Sequence, residues 1–284
     1  MNIMITKIIN IKGDLLDLSS PIVMGILNIT PDSFYSGSRK ESEEEIIKRT
    51  KEILDQGGKI IDIGAQSTRP ASTLLSAKEE IERLQFALPI INREFSNATI
   101  SVDTFYGDVA RFCVEEHGVA IINDISGGEM DKTMFSVAAK LNVPYILMHM
   151  RGTPQTMTSF TDYDNLIQDI FYYFSQKIAE LHQLGVKDII IDPGFGFSKT
   201  LNQNYELMSA LRGFSAFELP LLIGISRKKM IANLLDTNPD GSLNGTTALN
   251  MFALQNGADI LRVHDVKEAV EAIKIAQKLK EYKV

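Results

Sequence analysis

Two hydrophobic rhythms alternate along the chain. Short runs rich in β-branched residues are apolar at nearly every position, and each gives way to a longer stretch in which apolar residues return every three or four positions. A strand that is apolar on both faces belongs to a parallel sheet covered on both sides, whereas the longer spacing belongs to a helix with one buried stripe. The runs are 22–29, 59–63, 99–102, 120–123, 144–148, 188–191, 221–225 and 260–263. About eight alternating units predict an α/β fold, a (β/α)8 TIM barrel in one domain, with an open doubly wound sheet as the rival because periodicity does not give strand order.

Local punctuation supports the helices. Ser42 with Glu45, and Ser76 with Glu79, match the pattern in which side chains at a helix start satisfy its free amides. These helices would turn Ile46, Ile47, Thr50, Ile53 and Leu54, or Ile81, Leu84, Leu88 and Ile91, inward. Gly57, Gly118, Gly185 and Gly257 fall where helices should stop, since glycine enters the left-handed region without a steric penalty. Residues 1–20 stand outside the repeating units as an N-terminal extension. They suggest a hairpin around Lys12, Gly13 and Asp14 that plugs the barrel bottom, leaving 21–284 as the barrel domain.

Composition narrows the function. The 36 acidic and 29 basic side chains leave a net charge of -7, which disfavours nonspecific attraction to nucleic acid or anionic membrane. An anionic ligand must therefore meet a local positive site. The only cysteine, Cys113, lies in a helical pattern and reads as a small buried thiol. With no cleavable apolar leader and no bilayer-length run, a cytoplasmic enzyme is expected.

Polar residues end almost every apolar run. Asn28 closes the first, Asp62 sits in the second with Thr68 and Arg69 beyond it, and Asp103 follows the third. Asn123 and Asp124 end the fourth, Asp192 the sixth, Ser226, Arg227 and Lys228 the seventh, and Arg262 and His264 the eighth. Any one of them could be a turn former or helix cap. In a barrel, however, all converge on the mouth where barrel enzymes place their chemistry. Carboxylates and amides suit a heterocycle with ring N–H groups and a carbonyl, and cations after the last two strands suit phosphate. The expected ligand is a polar heterocycle bearing phosphate.

Eight ordered blocks carry a family resemblance: 24–34 (Met24 to Phe34), 62–70 (Asp62 to Pro70), 101–104, 122–127, 148–154, 192–197, 224–228 and 262–265. They resemble the signatures of the dihydropteroate synthases, from about residue 20 to the end. The resemblance implies condensation of 6-hydroxymethyl-7,8-dihydropterin diphosphate with p-aminobenzoate, releasing pyrophosphate in folate biosynthesis. It implies that Asp103, Asn123, Asp192 and Lys228 bind the pterin, and that Asn28, Arg262 and His264 hold the diphosphate, with Asn28 also meeting Mg2+. Phe34, Thr68, Arg69, Pro70, Phe197 and Ser226 would line the p-aminobenzoate pocket, where sulfonamides compete in this family. Asp62, Met148 and Arg227 complete the expected substrate-binding set, and Asp103, Asp192, Lys228, Arg262 and His264 the catalytic one. A homodimer through the outer helices of the last units is also implied.

Two positions depart from the family pattern. Gln66 stands where the family usually has Glu, and Ser36 where an Asp is common. They bear on two polar loops expected to close over the diphosphate. Two other readings share the pterin contacts: a barrel domain that transfers a methyl group from a folate to a corrinoid protein, and a catalytically silent pterin-binding scaffold. The set Lys228, Arg262 and His264 favours the synthase. The attacking aromatic amine is neutral near pH 7, so no nucleophile and base dyad is needed. His117 and His182 read as surface residues, and His149 as either a mouth or a structural histidine. Gly194 and Gly196 resemble the start of a dinucleotide fingerprint, but Lys199 occupies the place of the third glycine.

Overall fold

Eight parallel strands follow one another around a barrel: β3 (Ile22–Asn28), β4 (Ile60–Gly64), β5 (Thr99–Asp103), β6 (Ile121–Asp124), β7 (Tyr145–Met148), β8 (Ile189–Asp192), β9 (Leu222–Ile223) and β10 (Ile260–Val263). The computed structural model describes residues 7–29, 39–66 and 73–282, without the side chains of 39–41. Their hydrogen-bonded order is β8-β7-β6-β5-β4-β3-β10-β9. A single parallel bridge between Ile191 and Leu221 joins the two ends. The open sheet is thereby excluded.

Strand β9 is shorter than the apolar run 221–225 suggests. The chain leaves the sheet at Gly224 and turns at Arg227, whose φ of 54° lies in the left-handed region. That conformation costs a non-glycine residue about 1 kcal/mol or more, so other contacts must hold it.

Among the described residues the surrounding helices are α1 (Arg39–Asp55), α2 (Ala77–Glu94), α3 (Gly107–His117), α4 (Met134–Leu141), α5 (Leu166–Leu184), α6 (Leu201–Ser209), α7 (Lys229–Leu234), α8 (Leu243–Gln255) and α9 (Val266–Lys280). The start expected at Ser42 is corrected: α1 begins at Arg39, which places Ser42 inside the helix and buries it. At Ser76 the expected pattern forms, with Glu79 N donating to Ser76 Oγ at 3.3 Å and Ser76 N donating to Glu79 Oε2 at 2.8 Å. Gly57, Gly118, Gly185 and Gly257 all have positive φ where the preceding helices end.

The strand period of two separates two cores. Outward residues such as Val23, Leu27, Ile61, Ile63 and Ile191 pack under the helices. Inward residues Ile22, Met24, Ile60, Ile121, Ile146, Ile190, Leu222 and Ile260 fill the lower barrel. Below them lies an antiparallel hairpin of β1 (Ile8–Ile11) and β2 (Asp14–Asp17), turned at Lys12 and Gly13. Its Ile9 and the following Leu18 are buried against the inward layer. Each such side chain contributes roughly 1.5–3 kcal/mol on burial. Lys7 ties the hairpin to Asp259 at 2.6 Å.

Cys113 is fully buried, and burial pushes its thiol up, as suits a packing residue. No described helix is long and apolar enough to cross a membrane.

Candidate active site

Two residues beyond the apolar inward layer, the same faces turn polar. Ile60 is followed on its face by Asp62, Ile121 by Asn123, Ile190 by Asp192 and Ile260 by Arg262. The period of two therefore stacks a polar layer on an apolar one, at the C-terminal mouth of the barrel.

This layer is one bonded array. Arg262 donates from Nε to Asp62 Oδ2 at 2.6 Å and from Nη2 to Asp103 Oδ2 at 2.6 Å. Asn123 Nδ2 donates to the same Asp62 oxygen at 3.1 Å. Asp62 is 0% exposed, and its Oδ1 has no hydrogen-bond partner among the described residues. Burial, opposed by Arg262 and reinforced by the charges of Asp62 and Asp124, pushes the Asp103 carboxyl up to about 7. Burial works against the Arg262 charge, yet Asp62 and Asp103 hold its guanidinium above the ordinary arginine range.

Beside the array, Asp192 accepts from Gly194 N at 2.8 Å, which fixes the carboxylate and the turn after β8 together. Burial raises Asp192 against the pull of Lys228. Burial also pushes the Lys228 ammonium down to about 8, although Asp192 favours its charge. Lys228 donates to the Phe195 carbonyl and lies 4.5 Å from the Phe197 ring centroid, in cation–π range. Met148 is buried with Phe105, Ile125, Met150 and Met157, and the half-buried Phe197 packs on that cluster.

A cavity of about 470 Å³ opens alongside, lined by Asn28, Arg49, Arg227 and His264 among others. Ser226 Oγ accepts from His264 N at 3.1 Å and lies 3.2 Å from its Nδ1, so Ser226 orients the ring. Crowding of the solvent-exposed ring by the strand ends, which desolvates it, with the charges of Arg262, Arg49 and Arg227, pushes His264 down to about 4. It is neutral at pH 7. An anion in the cavity would restore its affinity for a proton.

The structure gives specific partners to three of the residues that close the strands. Arg227, expected to bind substrate, forms a bidentate pair with Asp265 at 2.9 and 2.8 Å and donates to the carbonyls of Pro239 and Asp240. The pair holds its left-handed backbone and organises the next loop, leaving Lys228 to face the mouth. Ser226 is turned to His264. Asp124 is a turn former, accepting from Ser126 N, Gly128 N and Tyr145 Oη at 2.7, 2.8 and 2.6 Å.

Phe34, Thr68, Arg69, Pro70 and Ser36 lie outside the described residues. Gln66 is buried and clamps the end of the second loop: Leu75 N donates to its Oε1 at 2.9 Å, and its Nε2 lies 3.4 Å from Glu80 Oε2. Burial pushes Glu80 up to about 7. No carboxylate is needed at 66 for this clamp, because an amide offers both donor and acceptor.

Sequence reasoning missed Arg49. It reaches from α1 across the ends of β3 and β10, donating to Ile26 O at 3.4 Å and His264 O at 2.6 Å. In the sequence it is one polar residue on a solvated helix, with no signal of its target. Lys199 was passed over as the residue that spoils a nucleotide fingerprint, yet it is buried beside His149. His149 is thus a satisfied structural histidine.

The pattern of known proteins agrees with this geometry. The family model described as "Pterin binding enzyme" matches residues 24–264. The chain is 41% identical to dihydropteroate synthase of Escherichia coli (strain K12) over 268 residues, 94% of each chain. The crystal structure of Yersinia pestis dihydropteroate synthase with a sulfonamide drug superposes with a TM-score of 0.89 at 38% identity, covering 97% of this chain and 100% of that one. That of the Thermus thermophilus enzyme with 4-aminobenzoate gives 0.85 at 31% identity, covering 96% and 100%. A matched sequence across nearly the whole barrel, with a polar mouth built on its strand ends, places the chain in the pterin-binding enzyme family, among the dihydropteroate synthases.

Proposed function

We propose that this mouth carries the family's reaction, transfer of the dihydropterin methylene from diphosphate to the amine of p-aminobenzoate. The observation that carries the reading is the bonded layer Asp62, Asp103, Asn123 and Arg262 with Asp192 and Lys228 beside it. Five strands and the loop after a sixth contribute to it, which no set of independent turn formers would require.

Asp103, Asn123 and Asp192 hold the pterin ring through its N–H groups and carbonyl, with Lys228 at its edge. The methylene C–O bond breaks with both electrons leaving on the diphosphate, the amine nitrogen forms the new C–N bond, and that nitrogen then sheds its proton to solvent. Carboxylates at the ring favour the positive charge that develops on it, and His264 and Arg262 with the nearby Arg49 favour the departing anion. Phe197 and Lys228 form the described wall of the p-aminobenzoate pocket, to which the family resemblance also assigns Phe34, Thr68, Arg69 and Pro70. Asp62 binds within this layer, and Met148, level with Asp192, adds an apolar contact beside it.

Among the described residues no cluster of three or more His, Cys, Asp or Glu side chains could cage a metal. Magnesium fits the cavity differently, because it commonly binds through substrate phosphates and water with few protein ligands. The Asn28 amide oxygen suits one such position, and the ion bound there would neutralise the leaving group. The reading extends to a cytoplasmic homodimer. Exposed Phe252 on α8 with Ile275 and Leu279 on the adjacent α9 support an interface there.

Pyrophosphate release tests the function. Purified protein given both substrates and Mg2+ should release pyrophosphate only when p-aminobenzoate is present. Methyl transfer from a methylated folate without pyrophosphate would replace this reading, and pterin binding without turnover would indicate a silent scaffold.

A further inference from the structure

The loop after β8, residues 193–200, builds one wall of the mouth in an unfavourable shape. Gly194 and Gly196 have φ of 72° and 79°, and Ser198, which is not glycine, has 46°. A Cβ at Gly194 would lie 2.1 Å from the His149 carbonyl oxygen, so the turn is pressed onto the end of β7. Residues held this way persist only where their surroundings over-determine them.

Lys199 is what lies inside the turn. Only 8% exposed, its Nζ donates to Gly194 O at 3.0 Å and Phe197 O at 3.0 Å, and it lies 3.0 Å from His149 Nδ1. An ammonium has three protons, and these three partners use all of them. With Lys199 as donor, the neutral His149 carries its proton on Nε2, and its ring is held edge-on to Tyr173 with centroids 4.9 Å apart. Burial pushes the ammonium down to about 7, and the neighbouring Asp192 favours its charge. Asn204 and Tyr163 hold the outer end of the loop, at Gly196 N and Ser198 O. Lys199 holds the inner end.

Between the two carbonyls it grips are the groups the mouth uses. Phe195 O accepts from Lys228, and the Phe197 ring packs 4.5 Å from that ammonium. We propose that Lys199 is a positioning residue for the p-aminobenzoate side of the reaction, acting through Phe197 and Lys228 without touching substrate. This rests on the assignment of the Phe197 and Lys228 wall to that pocket.

Lys199→Met keeps the aliphatic stem and removes all three donors, and Lys199→Gln keeps one donating group. The Met variant should raise KM for p-aminobenzoate about tenfold, and the Gln variant by less. KM for the pterin diphosphate, which Lys228 also meets, should rise by less than that for p-aminobenzoate, and Kd for pyrophosphate should stay within about twofold. An equal rise in both KM values, or a fall in kcat alone, would overturn the proposal. Amide hydrogen exchange separates this from failure of the functional reading. The amides of residues 195–198 should exchange at least about tenfold faster in Lys199→Met while those of α3 are unchanged, whether or not the wild type turns over. Unchanged exchange at 195–198 would overturn it equally.

Discussion

Arg262 and Asp62, two hundred positions apart, are joined by a 2.6 Å hydrogen bond inside the barrel mouth. Asp62 has no exposure to water, and that guanidinium is the cation it is paired with. Arg262 is therefore first a counter-ion to the pterin-side carboxylates and only then a partner for the leaving group. Removing one member of such a pair strands the other, which typically costs about 3 to 5 kcal/mol. Arg262→Ala should lose that much in urea unfolding at pH 7, and should also lose pterin affinity. A variant of wild-type stability would contradict this role for the pair.

His264 should take up a proton when pyrophosphate binds. Its pKa of about 4 in the free site leaves it neutral at pH 7. A nearby anion raises that value, so binding between pH 4 and the bound pKa adds up to one proton, and affinity gains as pH falls through this window. Calorimetry in two buffers of different ionisation enthalpy counts the protons. His264→Asn should remove that share, and equal uptake in both proteins would exclude His264 as the acceptor.

Arg49 should matter to the diphosphate and not to p-aminobenzoate. It lines the cavity with Asn28 and His264 and holds the backbone of the latter. Arg49→Gln should raise KM for the pterin diphosphate about tenfold, or roughly 1.4 kcal/mol. KM for p-aminobenzoate should move less than about twofold. Initial rates against each substrate decide the matter, and equal shifts would mean general disruption of the mouth.

Glu80 should make the fold less stable as pH rises. Burial lifts its carboxyl from 4.5 to about 7, and its Oε1 has no partner among the described residues. Between those values the folded chain binds more protons than the unfolded one, so stability falls as pH increases through the window. The interval corresponds to about 3 kcal/mol at most. Glu80→Gln should remove this slope and exceed the wild type at pH 8 in thermal unfolding, with the two converging near pH 4. Parallel pH profiles would contradict it.

Much of this was legible along the chain because it depends on near neighbours. Apolar runs specify buried strands, Ser76 with Glu79 specifies a helix start, and Gly118 or Gly185 specifies a helix stop. Strand alternation carries Asp62, Asn123, Asp192 and Arg262 to the inside, two steps beyond isoleucines. Those relations span a few residues, and backbone geometry enforces them wherever they occur.

What the tertiary structure decided is which partner each polar group met. Arg262 and Lys228 read alike in the sequence, as cations at the ends of the last two apolar runs, but closure of the barrel gives the first to Asp62 and Asp103, and the second to Phe195 and Phe197. Arg227, adjacent to Lys228, pairs with Asp265 and lines the cavity beside His264. Arg49 carries no local signal because its acceptors are main-chain carbonyls on other segments, and Lys199 none because its burial depends on the curl of its own loop against the His149 ring. A long cationic side chain can reach many acceptors, and only the positions of strands and loops in three dimensions select among them.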